Sequence, residues 1–444
     1  MNWDDVVVKL NVTSLNIDLN NPLNINDHDN SSGTGFFLSK KLILTCYHVV
    51  KFALSIEVIY KGNYIYNGKI LYIMPDDDIA LIELNENIDI KPLDYHIITT
   101  KEINQVYAVG FPLGSDTIIG TKGIISGFTN SYIQIDAALN PGNSGGPLLI
   151  KINGEWKIIG INVSKIYGEQ VENTNFSVPI YRFFSAFNCK FDKNIDLNIL
   201  NGIVRKPIFK LHSNLLTFKY QKILQPELKN EYYNEKLKKY LDNNIGIRIN
   251  KINPNIYLGK YINEGDLLLK INGVNIDSSG NCIFPFYPGK INILQIGLWF
   301  KIGDDLELTI FDNKTKDVIT KKLKFEKIET FILDLYMIKP YDKYYFVNND
   351  LIFSIITFEH LTNNINFSNH QYLNLIKRVE NNIFTIYLAD IIYANKNDKF
   401  TKYPINDIII EINDIQIDNY DTFKKLMENK VTKIKTINNS IYYA

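Results

Sequence analysis

Asp136-Ala137-Ala138-Leu139-Asn140-Pro141-Gly142-Asn143-Ser144-Gly145-Gly146-Pro147 is the stretch on which the reading of this chain turns. Glycines on both sides of a serine permit a tight loop that aims backbone N–H groups inward. Gly142–Gly146 also fits G-x-S-x-G, the nucleophile elbow of another hydrolase fold. That elbow needs a helix directly after the serine, with the acid and histidine later in the chain. Gly145-Gly146-Pro147 opposes a helix, and the later His212, His360 and His370 lie in unconvincing settings. Partners for Ser144 are therefore sought upstream.

Two upstream segments supply them. Leu42-Ile43-Leu44-Thr45-Cys46-Tyr47-His48-Val49-Val50 sets a histidine after an apolar run, and Asp78-Ile79-Ala80-Leu81 sets an acid before one. Acyl transfer by serine needs a base for the hydroxyl proton, a carboxylate to fix the imidazole tautomer, and donors for the oxyanion. His48, Asp78 and Ser144 fill the first roles in that order. Gly142, Asn143 and Ser144 form the oxyanion loop, with the Gly142 and Ser144 amides as donors. Asp76 and Asp77 also precede the run; Asp78 is preferred because it abuts Ile79–Leu84, with Asp77 as fallback.

Around these residues the first 190 positions read as β. Short apolar runs bounded by Gly, Asn, Asp and Pro recur at Gly35–Ser39, Leu42–Thr45, Ile56–Tyr60, Ile70–Met74, Ile79–Leu84 and Gln105–Gly110. They continue at Ile118–Ser126, Tyr132–Ile135, Pro147–Ile150, Lys157–Val163 and Asn175–Val178. About a dozen such strands suit two six-stranded barrels, and Pro179–Phe187 reads as a closing helix. The fold class expected is mostly β.

The remainder is organised differently. An Asn- and Asp-rich linker at 190–205 precedes a charged helical stretch at Pro226–Asn243, where Glu235 and Lys239 form an i,i+4 pair on a solvated face. Gly265–Gly273 is a strand ending in a turn. Its pattern, an apolar run and then Ile-Asn-Gly/Asp, returns at Ile408–Asp414, with a helix expected near Asp421–Asn429. A repeat spaced by roughly 140 residues implies two similar domains, not a solenoid. The boundaries expected are 1–190, 191–328 and 329–444.

Composition excludes several classes. Lys+Arg and Asp+Glu are both 48 in a chain of 444 residues, so the basic surplus of a nucleic-acid binder is missing. Three cysteines, Cys46, Cys189 and Cys282, form neither a disulfide framework nor a metal pattern. Cys46 reads as a small buried hydrophobe and not as a second nucleophile. No cofactor or metal is expected. The start lacks the basic and apolar regions of a secretory signal, and no run is long enough to span a membrane. The expected location is intracellular, in cytoplasm or nucleus; heavy Asn, Ile, Lys and Tyr usage suggests an A+T-rich genome, viral origin included.

The catalytic segments resemble the HtrA/Deg branch of the trypsin-like serine proteases. The likeness also runs through Val109–Gly114, Thr121–Ser126, Ile159–Asn162 and Phe176–Pro179. Downstream, Ile247–Ile249, Gly265–Gly273, Pro285-Phe286, Pro340–Phe346, Asp350–Phe353 and Ile408–Phe423 resemble the two PDZ domains of plant and fungal Deg proteases. The resemblance implies a trypsin-like double β-barrel followed by two α+β PDZ-like domains, and a homo-oligomer, a trimer or a multiple of it, with the stretch around Trp3 a candidate contact. It implies an ATP-independent endopeptidase acting on unfolded or extended polypeptides. Asn143 stands where digestive relatives carry an Asp that pairs with a newly cut N-terminus, so activation should come from loop ordering. The loops at Gly114–Gly120, Leu139–Gly142 and Ser164–Thr174 are the expected switches.

In trypsin-like folds the primary pocket is floored by the residue six before the serine, here Ala138. Without a carboxylate there, a small or medium apolar P1 is expected, with Leu139 and the strand Ile161, Asn162 and Val163 lining the pocket. PDZ domains add a peptide as a strand and hold its carboxylate in backbone N–H groups; Ile245, Gly246 and Ile247 are the expected carboxylate loop. Two competing readings are a chaperone-like peptide-binding scaffold and a processing enzyme with one substrate.

Overall fold

The computed structural model describes residues 2–16, 28–101, 104–129, 131–163, 174–187, 204, 206, 220–222, 231–232, 235–252, 257–326, 345–348, 351–356, 371, 375, 378, 385–391 and 407–443. The chain divides into two compact units. The first is Met1–Ser14, Asn30–His212 and Phe218–Ile328; the second is Leu15–Asp29, Ser213–Thr217 and Glu329–Ala444.

The first unit opens with two antiparallel barrels. Strands β1 (Val7–Leu15), β2 (His28–Phe37), β3 (Leu42–Cys46), β4 (Ala53–Tyr60), β5 (Tyr64–Met74) and β6 (Ile79–Leu84) close in the order β1-β2-β3-β6-β5-β4. The alternating run Val8-Lys9-Leu10-Asn11-Val12 makes β1, with Val8, Leu10 and Val12 turned into the core. β3 and β6, apolar at nearly every position, lie side by side with Thr45 opposite Ala80 and Cys46 opposite Ile79. Burial on both faces explains why neither strand alternates.

The second barrel uses β7 (Asp94–Tyr95), β8 (Gln105–Gly110), β9 (Ile119–Phe128), β10 (Ile133–Ile135), β11 (Pro147–Ile152), β12 (Glu155–Val163) and β13 (Asn175–Pro179). The order β11-β8-β9-β10-β13-β12 closes through a further β11–β12 pairing, and β7 adds to β12 outside the ring. Helix α1 (Tyr47–Val50) follows β3, and α2 (Ile180–Phe187) follows Pro179, which ends β13. The paired barrels are the double β-barrel expected from the strand pattern. Trp3 lies within its own chain against Tyr107 and Trp156, with ring centroids 6.1 and 6.2 Å away.

The rest of this unit is a second sheet, β14 (Tyr220–Lys222), β15 (Ile247–Ile249), β16 (Leu267–Ile271), β20 (Asp305–Asp312) and β21 (Asp317–Lys324), in the order β14-β15-β16-β20-β21. The short pieces β17 (Val274–Asn275), β18 (Asn281–Cys282) and β19 (Ile291–Asn292) lie between β16 and β20 in sequence. Helix Glu235–Leu241 covers one face through Leu237, Tyr240 and Leu241 on Leu267, Leu269 and Phe311. The other face packs on Ile293, Ile296 and Trp299 of the 3-10 turn Ile293–Trp299. This sheet is tied to the second barrel. Tyr287 Oη donates to the carbonyls of Thr129 and Tyr132 at 2.8 Å, and Tyr181 stacks on Phe286 at 5.0 Å.

The second unit carries β22 (Tyr345–Asn348), β23 (Leu351–Ile355), β24 (Ile386–Ile391), β25 (Ile408–Ile412), β26 (Ile415–Gln416), β27 (Lys433–Thr436) and β28 (Ile441–Tyr443). Helix Tyr420–Met427 packs on it through Phe423 and Leu426. The repeat found in the sequence has a physical basis. Asn272-Gly273 and Asn413-Asp414 both have positive φ at both positions, the geometry of a type I′ hairpin turn. Most of the 190–205 linker, Pro340–Tyr344 and residues 164–173 of the third expected switch loop lie outside the described residues.

Candidate active site

Each barrel delivers part of the site. The first supplies His48 on α1, just past β3, and Asp78 just before β6. Because Cys46 faces Ile79 across the β3–β6 ladder, the two ends meet. His48 Nδ1 and Asp78 Oδ2 are 2.7 Å apart, and the His48 backbone N–H donates to Asp78 Oδ1 at 2.9 Å. Asp78 also accepts Tyr47 N–H on its carbonyl, at 3.0 Å. It holds this position with φ 55, a left-handed conformation that Asp tolerates better than most residues.

The three aspartates point three ways. Asp77, the fallback acid, is fully buried, and its Oδ1 accepts Arg182 Nε at 2.6 Å. Asp76 Oδ2 accepts the Lys206 backbone N–H at 3.0 Å. Only Asp78 faces the histidine. Burial raises the Asp77 carboxyl above its ordinary range, against the pull of Arg182 and Lys206.

The second barrel brings Ser144 between β10 and β11. Its loop is sewn to the first barrel by groups that carry no catalytic signature. Thr34 N–H donates to the Ser144 carbonyl at 2.9 Å. Thr34 Oγ1 donates to the Gly142 carbonyl at 2.6 Å and accepts Phe111 N–H at 3.0 Å. Thr45 Oγ1 donates to the Thr34 carbonyl at 2.7 Å. Gly145 sits so close that an added Cβ would lie 2.2 Å from both Thr34 O and Thr45 Oγ1, and its φ is +86°. Only glycine fits there. Ser144 is thereby held against the segment that runs on to His48.

Asn140–Asn143 is a turn, with Asn143 N–H donating to Asn140 O at 3.0 Å. Gly142 at φ +98° with Pro141 before it is the type II arrangement. The Pro141 carbonyl is pinned outward by Leu113 N–H at 2.6 Å. In a trans peptide the following N–H points the opposite way, so Gly142 N–H is turned from Leu113. Among the described residues it has no protein acceptor. Lys9 steadies the Leu113 loop, its Nζ donating to Gly114 O at 2.6 Å and to Asp116 Oδ1 at 2.8 Å.

The expected pocket residues divide. Ala138 is exposed and Leu139 half-buried. Ile161 and Asn162 have no exposed surface, and Val163 is buried. Ile161 is locked in the barrel ladder, while Asn162 Nδ2 donates to Pro147 O at 3.0 Å and its Oδ1 accepts Ser177 Oγ at 2.9 Å. Their side chains are packed into the barrel, so any part this strand plays in lining the pocket falls to its backbone.

A correction to the sequence reading concerns Ile245, Gly246 and Ile247. Ile245 N–H donates to Tyr240 O at 2.8 Å and Gly246 N–H to Ile276 O at 2.7 Å. Ile247 begins β15, paired with β14 on one side and β16 on the other. An interior strand has no unpaired groups for a peptide. Among the described strands the free edges of that sheet are β14 and β21.

The one group of described His, Cys and acidic residues close enough to hold a metal is Cys46, His48 and Asp78, whose ligand atoms lie within 4.8 Å of one another. His48 and Asp78 face each other. Burial, and then the Asp78 carboxylate, push the Cys46 thiol well above its ordinary value, so it stays protonated and donates weakly to Asn162 O at 3.4 Å. That agrees with its reading as a small buried hydrophobe.

Two closed six-stranded barrels, with His and Asp from the first and a glycine-bracketed Ser from the second, define the trypsin-like peptidase class. Residues 33–161 match the family described as trypsin-like peptidase domain. The chain is 28% identical over 295 residues to Protease Do-like 2, chloroplastic, of Arabidopsis thaliana, covering 63% of this chain and 44% of that protein. It is 26% identical over 334 residues to the Serine protease Do-like HtrA of Bacillus subtilis, covering 68% and 65%. The solved HtrA-type protease AlgW with tripeptide superposes at a TM-score of 0.50 and 18% identity, over 73% of this chain and 94% of that one. These matches make the chain similar to the Do-like, DegP and HtrA serine proteases, with a trypsin-like peptidase domain at residues 33–161. It matches about half the length of its plant relatives.

Proposed function

We propose that this protein is a serine endopeptidase that cleaves extended polypeptides through an acyl-enzyme, without ATP, using His48, Asp78 and Ser144. The observation that carries the reading is the His48 Nδ1–Asp78 Oδ2 contact of 2.7 Å beside a Ser144 loop locked by Thr34. Asp78 keeps the proton on His48 Nδ1, leaving Nε2 as the base. His48 takes the Ser144 hydroxyl proton as Oγ attacks the scissile carbonyl. The Gly142 and Ser144 amides receive the oxyanion. His48 then protonates the leaving amine, and water repeats the sequence to release the acid.

An exposed Ala138 at the pocket floor, with no carboxylate, favours a small or medium apolar P1. The sheets after the barrels act as PDZ-like modules, and the first would take a peptide strand at the outer edge of β14. The test uses internally quenched peptides. Cleavage should favour Val, Ala or Ile over Arg at P1, and Asp78→Asn should lower kcat by about 10⁴-fold. Equal cleavage after Arg and Val removes the P1 assignment, and undiminished turnover in Asp78→Asn removes the triad.

A further inference from the structure

Behind the acid lies a buried charge cluster that the mechanism does not use. Arg182 projects from α2, which closes the second barrel, and is 1% exposed. It reaches the 3-10 turn Pro75–Asp77 of the first barrel, whose next residue is Asp78. Its Nε donates to Asp77 Oδ1 at 2.6 Å, its Nη1 to Ser131 O at 2.9 Å, and its Nη2 to Asp76 O at 3.4 Å.

Lys206 completes the cluster from beyond α2 and is 3% exposed. Its Nζ donates to Arg182 O and Ser185 Oγ at 2.9 Å and lies 3.9 Å from Asp77 Oδ2. Its backbone N–H reaches Asp76 Oδ2, and Val204 N–H reaches Ile73 O at 2.9 Å. Val204 and Lys206 are therefore bonded to the end of β5 and to the acid turn.

We propose that Arg182 is a positioning residue for the catalytic acid: through Asp77 it fixes the turn that presents Asp78 to His48, with Lys206 as the second clamp. The proposal rests on the triad reading above. Its physical basis is that Asp78 occupies a left-handed conformation, which persists only where the surroundings over-determine it. On the Asp78 side the constraints are the turn bond to Pro75 O and the contacts with Tyr47 and His48. On the opposite side Arg182 and Lys206 both bind the two residues before Asp78. Burial lowers Lys206 to about 8 and raises Asp77, the signature of charges held together out of water. A cluster that only glued the barrels together would not need to converge on the residue next to the acid.

The test compares Arg182→Lys, Arg182→Met and the double variant Arg182→Met/Asp77→Asn in the full chain, with Asp78→Asn alongside. The double variant removes the Arg182 and Asp77 charges together, and Lys206, which burial already lowers to about 8, can release its proton, so the variant stays folded where Arg182→Met alone fails. Kinetics are normalised to folded protein. The double variant should lose on the order of 10²-fold in kcat with little change in KM, and the acidic limb of its pH–rate profile should move. Arg182→Lys should recover part of the rate. A folded double variant with wild-type kcat and pH profile, while Asp78→Asn is crippled, overturns the positioning role and leaves the triad standing. Wild-type turnover in Asp78→Asn overturns both.

Discussion

Thr34 joins the nucleophile loop to the histidine strand through four hydrogen bonds, two of them from its hydroxyl. Thr34→Val keeps the shape and leaves Phe111 N–H and Gly142 O unpaired. The loss should be about 1–3 kcal/mol of stability for each buried group stranded, with a fall in kcat. Thermal melts and kinetics against Thr34→Ser, which keeps the hydroxyl, check this. Gly142→Ala is the companion. Its Cβ would stand 2.3 Å from Phe111 O at φ +98°, so the peptide must leave its position. Loss of that oxyanion donor should lower kcat by about 10²–10³-fold, measured with the same peptides. The candidate pair His48 and Asp78 and the glycine loop of Ser144 were legible at this scale because such residues follow from the chemistry and sit beside apolar runs. Thr34 was not, because a threonine in Gly-Thr-Gly has no signature until the fold brings Gly142 and Phe111 to it. Asp76, Asp77 and Asp78 were separable only by adjacency to β6, since the burial that commits Asp77 to Arg182 is a tertiary fact.

Among the elements, the apolar runs marked most barrel strands, because strands buried on one or both faces must be apolar there. They missed β1, where Val7-Val8-Lys9-Leu10-Asn11-Val12 alternates, and the outer halves of β4 and β5, whose residues are largely exposed. The carboxylate-loop reading failed for a related reason: Gly246 has φ +111° as a turn glycine would, and the sequence does not say which strands flank it. At this scale the acid turn and α2 are coupled by buried charge. Arg182→Met should lower stability by about 3–5 kcal/mol, as expected when one partner of a buried pair is removed. Lys206 faces Asp77, Asp76, Arg182 and Asp304, and its folded value of about 8 lies below its ordinary 10.5. Between those values the unfolded chain binds the extra proton, so this group's contribution to stability rises with pH across the window. Unfolding titrations of wild type and Lys206→Met should therefore shift in the wild type's favour from about pH 8 to 10.5. A constant difference would contradict the burial of a charged Lys206.

For the whole molecule, the sequence repeat marked matching turns in the two sheets that follow the barrels, because a type I′ turn leaves an Asn-Gly or Asn-Asp mark. It did not reveal that the first of these sheets is bonded to the second barrel. Tyr287 donates to two barrel carbonyls, Ser131 Oγ meets Gln295 Oε1 at 2.7 Å, and Tyr181 and Phe286 stack. The barrels and that sheet should unfold in one transition. Tyr287→Phe should lower its midpoint and let the sheet exchange its amides ahead of the barrels, read by hydrogen exchange on the full chain. Independent transitions in the wild type would contradict this coupling.

Labelling with a fluorophosphonate probe tests the central claim most directly, since only an activated serine reacts. The account predicts stoichiometric labelling of the wild-type chain at Ser144, none in Ser144→Ala, and greatly slowed labelling in His48→Ala and Asp78→Asn. Labelling that persists in Ser144→Ala, or a folded wild type that stays unlabelled with and without an unfolded polypeptide, would contradict it.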